Sequence, residues 1–344
     1  MVEMKLDTRE NIIGEVKEIL EEPKDLKRLL YRELLINALK CKRDELDILD
    51  LKVINRAIGE FRYAAHVFKP YRKIRKVSFF GSARVPQGSP YYDLAVQFGR
   101  VLAEEKFMVI TGAASGIMRA GIEGATPQNS FGVNILLPFE TANAIIKDDP
   151  KLITFRYFFT RKVFFVMEAD AIALFPGGFG TLDECFEILT LLQTGKSPPM
   201  PLVLMELKDD DYWERWDRFI RDQLLVRGYI SPEDFSFYKI VHSPREAADW
   251  ISDYYSTYHS VRQVRENLVI RMDKELSDDN VRKLNEMFHD LIPEGEIKKT
   301  EPLTEEEDEP DLLQKPRLVF RYDRKNAGRL NEMILKINEM NYVS

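Results

Sequence analysis

From Lys76 onward, short apolar runs alternate with amphipathic stretches of helical length, and each run closes on Gly or Pro. The pattern predicts strands at Val77–Phe80, Met108–Thr111, Gly132–Leu137, Ala171–Phe175, Leu202–Met205 and Tyr238–Val241, with helices between most of them. This βαβ rhythm predicts a Rossmann-like, doubly wound α/β domain over residues 71–265: a parallel sheet covered on both faces, with right-handed crossovers. Ahead of it, residues 1–70 place Leu29, Leu30, Leu34, Leu35 and Leu39 among charges at helical spacing. They predict a helical N-terminal segment that pads the core or pairs with a second subunit. After Glu266 come a strand at Leu268–Arg271, a helix from Asp278 to about Leu291, strands near Glu296–Lys299 and at Leu318–Tyr322, and a last helix. These predict a small α+β module over 266–344, ferredoxin-like but lacking its final strand, with the acidic stretch Glu305–Glu309 as a solvated loop.

Composition narrows the function classes. A net charge of −7 argues against a protein that coats nucleic acid, which needs a concentrated Lys/Arg surface. Cys41 and Cys185 are too far apart for metal-ligand spacing or a disulfide framework, which fits a reducing, cytoplasmic setting. Glu3, Asp7 and Glu10 close behind Met1 do not follow the plan of a signal peptide, and no apolar run reaches membrane-spanning length. The four histidines, His66, His242, His259 and His289, are scattered and read as surface or packing residues, so no metal site is expected.

In an open parallel sheet, ligands bind beyond the carboxyl ends of the strands. Three loops expected there are glycine-rich: Gly81–Arg84, Gly112–Gly116 and Pro176–Thr181. The last lies between an apolar strand and a helix expected to start near Thr181. Its backbone can approach a phosphate, the helix N-terminus offers unpaired N–H groups, and the Thr181 hydroxyl can add a bond. Glycines at such a junction also serve packing alone. Glu184 is expected in the first turn of that helix, where an acid is favourable for the helix dipole without any chemistry. Arg161 and Lys162 lead toward the same cleft, and an arginine there can grip phosphate or base. No P-loop, no Gly-x-Gly-x-x-Gly after a strand and no Gly-x-Ser-x-Gly elbow occurs.

Pro176-Gly177-Gly178-Phe179-Gly180-Thr181-Leu182-Asp183-Glu184 resembles the PGGxGTxxE signature of the LONELY GUY (LOG) phosphoribohydrolases, and Arg161-Lys162 stands fifteen residues upstream, where that family carries an Arg-Lys pair. Phe80–Arg84, Gly116–Met118 and Gly132–Glu140 are similar to the longer bacterial LOG-like proteins. The resemblance spans about Lys76 to Gly195. It implies hydrolysis of a purine nucleoside 5'-monophosphate, AMP or a cytokinin nucleotide, to free base and ribose 5-phosphate, without a cofactor. It implies Arg161 and Glu184 as the catalytic pair and a phosphate site formed by Gly177, Gly178, Gly180 and Thr181 with Gly81 and Ser82, Lys162 beside them. Asp170 is a weaker candidate to steady Arg161. A homodimer or higher homo-oligomer with clefts near the subunit interface is also implied. Two departures stand out: the second loop is poorer in glycine than the family's, and Arg119 replaces a frequent Glu. They keep open a non-catalytic nucleotide sensor as the alternative. The older lysine decarboxylase label of such proteins would need a pyridoxal phosphate lysine in a dedicated site, which this sequence does not offer.

Overall fold

The computed structural model describes residues 9–23, 25–137 and 143–340. Pro138, Phe139 and Glu140 of the family-like segment, and the acidic start with Glu3 and Asp7, lie outside them. The chain forms two compact units, Met1–Arg62 and Tyr63–Ser344. No helix among the described residues is long and apolar enough to cross a membrane.

The first unit is helical, as the leucine spacing predicts. It contains α1 (Arg9–Leu20), α2 (Leu26–Arg43) and most of α3 (Ile48–Phe68). Asp25 caps α2 by accepting from the Arg28 N–H at 2.8 Å, the expected service of a short acid at that position.

The second unit opens with the parallel domain. Its elements are β1 (Lys76–Phe80), α4 (Pro90–Glu104), β2 (Met108–Thr111), α5 (Ile117–Ala125), β3 (Ser130–Ile135), β4 (Leu152–Phe155), α6 (Phe158–Met167), β5 (Ala171–Leu174), α7 (Phe179–Gln193), β6 (Leu202–Met205), α8 (Tyr212–Phe219), β7 (Tyr238–Val241) and α9 (Pro244–Tyr254). The seven strands are ordered β4-β3-β2-β1-β5-β6-β7, every adjacent pair parallel. Val77 and Phe79 of β1 enter a core shared with Phe98 of α4 and Ala248 and Ile251 of α9. On the opposite face Ser78 donates its hydroxyl to the Phe165 carbonyl of α6, and Phe80 packs on the Phe165 ring. Burial on both faces explains why these strands read as near-continuous apolar runs.

One strand of this sheet, β4, is missing from the predicted set. It is a four-residue edge strand with Thr154 exposed, so only part of it carries the apolar signal. β3 begins two residues earlier than expected because its pairing with β2 starts at Ser130 opposite Val109.

After α9 the chain builds an antiparallel sheet from β8 (Tyr258–Val264), β9 (Asn267–Met272), β10 (Lys298–Lys299) and β11 (Arg317–Arg321), with α10 (Asp278–Met287) and α11 (Ala327–Glu339). The strand order is β10-β11-β9-β8. In a ferredoxin-like unit beginning at β9, the absent last strand would lie beside β9. That edge is taken instead by β8, antiparallel to β9 but supplied from the preceding side of the chain. The antiparallel sheet thus starts at Tyr258, and the boundary expected at 265/266 falls inside its first hairpin.

The acidic stretch Glu305–Glu309 is not the solvated loop that its charge predicted. Glu306 is fully buried, with Arg271 Nε donating to its Oε1 at 2.8 Å and Arg317 Nη1 forming an ion pair with the same oxygen at 2.7 Å. Asp308 and Glu309 pair with Arg262.

Candidate active site

Strand order reverses between β1 and β5: the chain winds outward through β2, β3 and β4, then returns to the other side of β1. The loops after β1 and β5 therefore part in opposite directions and open a crevice at the carboxyl edge. A cavity of about 820 Å³ occupies that crevice. Its walls include Gly81, Ser82, Arg161, Gly177, Gly178, Gly180, Thr181 and Glu184. The first and fifth strands' loops touch directly, the Ser82 N–H donating to the Pro176 carbonyl at 3.2 Å.

The glycines divide by reason. A Cβ on Gly177 would lie 2.1 Å from Thr181 Oγ1 and 3.0 Å from the Ser82 nitrogen, and one on Gly81 would meet Ile117 at 2.7 Å. Packing alone demands glycine at those two. Gly178 and Gly180 have nothing within 4 Å of such a Cβ and no positive φ, yet both line the cavity. Neither packing nor backbone strain accounts for them, and the free space they keep is cavity space.

The helix after this loop, α7, starts at Phe179 rather than near Thr181, with Gly178 as its N-cap. Glu184 consequently sits in the second turn, beyond the reach of most of the dipole benefit that an acid at a helix start enjoys. Its side chain is buried, and Oε2 has no hydrogen-bond partner among the described residues. Burial pushes its pKa up to about 7, against the lowering pull of the Lys162 ammonium 3.9 Å away.

Arg161, in the first turn of α6, stacks its guanidinium over Phe158 at 4.9 Å and Phe165 at 5.4 Å. Its Nη1 comes within 3.8 Å of where a Cβ on Gly112 would stand. Aromatic faces and a glycine thus give the planar group its slot.

Lys162 does not share the cavity. Its amine pairs with Asp183 at 2.7 Å and Glu187 at 2.6 Å, and the side chain lines a neighbouring cavity of about 580 Å³. Burial works against its charge, yet hydrogen bonds to Asp183 and Glu187 hold its pKa above the usual lysine value. Adjacent helical residues point about 100° apart, so Arg161 lines the cavity while Lys162 turns to the acids of α7. Asp170 lies at the opposite end of β5 from the cavity. It accepts from Arg75 at 3.1 Å and from the Lys76 N–H at 2.9 Å, and so does not steady Arg161.

The two departures differ in place: Gly112 and Ala114 of the second loop line the cavity, whereas Arg119 does not. Arg119 faces Glu123 at 4.0 Å and is absent from the cavity wall. In the glycine-poor loop Ala113 adopts φ 58°, a conformation glycine takes without strain, and its N–H donates to Thr111 Oγ1 at 3.0 Å. Cavity-lining residues that the sequence reading passed over include Asn134, Met118 and Arg84. Asn134, the one polar residue in the run Val133–Leu137, carried a signal that could have marked it.

Residues 110–251 match a family model described as "Possible lysine decarboxylase". A cytokinin riboside 5'-monophosphate phosphoribohydrolase of Arabidopsis thaliana is 28% identical over 166 residues, covering 46% of this chain and 74% of the relative. One of Rhodococcoides fascians is 29% identical over 161 residues, covering 46% of this chain and 79% of the relative. Among solved structures, a molybdenum cofactor binding protein of Rippkaea orientalis aligns with TM-score 0.37 at 21% identity, covering 52% of this chain and 94% of that one. The resemblance to the LOG family read from the sequence is borne out by the family model and the two phosphoribohydrolases.

Proposed function

Taking the likeness to LOG phosphoribohydrolases as the premise, we propose that this protein hydrolyses the N-glycosidic bond of a purine nucleoside 5'-monophosphate. The substrate is AMP or a cytokinin riboside 5'-monophosphate, and the products are free base and ribose 5-phosphate. The observation that carries this reading is the buried Glu184 carboxylate, with Oε2 unpartnered among the described residues, facing a cavity whose glycines are spared for a ligand.

The chemistry follows from charge. N-glycosidic cleavage passes through an oxocarbenium-like state, so positive charge develops on the ribose as the base leaves with the bonding electrons. A carboxylate with one oxygen unpartnered among the described residues is available to that charge, and its raised pKa lets it take a proton from the attacking water near neutrality. The 5'-phosphate would sit on the N–H groups at the start of α7, where Gly178 and Gly180 admit close approach. Arg161 would hold the nucleotide and favour departure of the base. Phe159, Val163 and Met167, exposed on one face of α6, would be covered by a second copy. Light scattering should then return twice the 40.2 kDa chain mass, and a monomer at micromolar concentration would remove that reading.

The test is to incubate the protein separately with AMP and with isopentenyladenosine monophosphate and to follow release of free base by chromatography. Base release should fall by about 10²–10⁴-fold in Glu184→Gln, which keeps shape but not charge. Measurable nucleotide binding without release from either compound would sink the hydrolase reading and put the sensor in its place.

A further inference from the structure

At the carboxyl ends of β6 and β7, away from the cavity, three side chains converge. Glu206 follows β6, His242 follows β7, and Glu214 stands on α8. One potential ligand atom from each lies within 4.8 Å of the others. Glu206 is fully buried. Its Oε2 accepts from the Trp213 N–H at 2.7 Å, but Oε1 is buried without a hydrogen-bond partner among the described residues. His242 Nδ1 is buried and unpartnered in the same sense.

We propose that Glu206, His242 and Glu214 form a binding site for a divalent first-row transition-metal ion. A buried carboxylate oxygen and a buried imidazole nitrogen left without partners are each costly, the carboxylate more so. A cation bound by all three side chains would give them a common partner and balance the two carboxylate charges. Two carboxylates and an imidazole suit zinc(II) or manganese(II). Magnesium and calcium prefer all-oxygen sets. Three protein ligands leave room for water in the remaining position.

The ion would tie β6, β7 and α8 together. Tyr212, two residues before Glu214, donates its hydroxyl to the Gly177 carbonyl at 2.8 Å. Metal occupancy would thus steady the loop assigned above to the phosphate. That consequence rests on the proposed function, whereas ion binding itself does not.

Strip the full-length protein with a chelator, add Zn²⁺, Mn²⁺ or Mg²⁺ alone, and follow tryptophan fluorescence, thermal melting and metal retained after dialysis. Trp213, bonded to Glu206, is the reporter. Zn²⁺ or Mn²⁺ should be retained at one ion per chain and raise the melting temperature, with Mg²⁺ doing neither. His242→Gln and Glu214→Gln should each weaken binding at least tenfold; these less buried positions carry the test if Glu206→Gln fails to fold. Absence of retained metal, equal retention by both variants, or an equal response to Mg²⁺ would each overturn the site, leaving a bridging water as occupant. Because these readouts need no nucleotide, they stand or fall separately from the hydrolase reading.

Discussion

A carboxyl group whose burial lifts its pKa to about 7 weakens the fold wherever it is ionised, and Glu184 is such a group. The penalty is absent below the unfolded value of 4.5, accrues as pH rises toward about 7, and is complete above that. Glu184→Gln should therefore melt higher than the parent at pH 8, by on the order of 1–3 kcal/mol, and show no advantage at pH 4. Activity has the opposite sign. If the ionised form is the catalyst, kcat/KM rises with pH through about 7 and then levels. Lys162 pulls that value down, so Lys162→Met should move the rising limb to higher pH. A pH–rate profile of the two proteins measures this, and an unmoved limb would show that another group titrates. Residue type told which side chains to suspect here. It could not tell which of two neighbours, Arg161 or Lys162, faces the cleft, because that depends on where α6 begins.

The junction of β5 and α7 was legible as a strand, a glycine-rich turn and a helix, and its place in the sheet followed from the βαβ rhythm. What the glycines do was not legible, since packing and ligand space demand the same residue. The structure separates them, and paired substitutions exploit the difference. Gly177→Ala forces a Cβ against Thr181 Oγ1 at 2.1 Å and should cost about 1–3 kcal/mol in denaturant unfolding. Gly180→Ala places a methyl in open space inside a helix, where alanine gains about 1 kcal/mol in propensity. It should raise stability yet raise KM about tenfold, equal to about 1.4 kcal/mol of lost ligand contact. A Gly180→Ala protein with unchanged KM would mean the loop holds no ligand. Edge elements were the ones missed, β4 and β8, for one reason: a strand half exposed on the rim carries half the apolar signal.

Across the second unit, the antiparallel module is bonded to the parallel domain rather than tethered to it. Asn331 of α11 donates to the Ser236 carbonyl and accepts from the Tyr254 hydroxyl, and the Ser236 hydroxyl donates to the Gly328 carbonyl of the same helix. Cutting the chain near residue 265 would break these bonds, so loss of activity on truncation would not reveal an effector site. A milder lesion inside the module is more informative. Burial opposes ionisation of Glu306, but the Leu303 N–H together with Arg271 and Arg317 outweighs it and lowers the pKa. This contribution to stability is present above 4.5 and is lost as pH falls through the lowered value. Glu306→Gln should cost about 3–5 kcal/mol near neutrality by stranding buried arginine charge, roughly 10 °C in melting temperature. The difference from the parent should shrink in acid. Base-release kinetics at 25 °C, well below either transition, then decide the module's part. An unchanged kcat/KM in the destabilised variant makes it a structural buttress; a changed one means that the packing around Glu306 is coupled to the cleft.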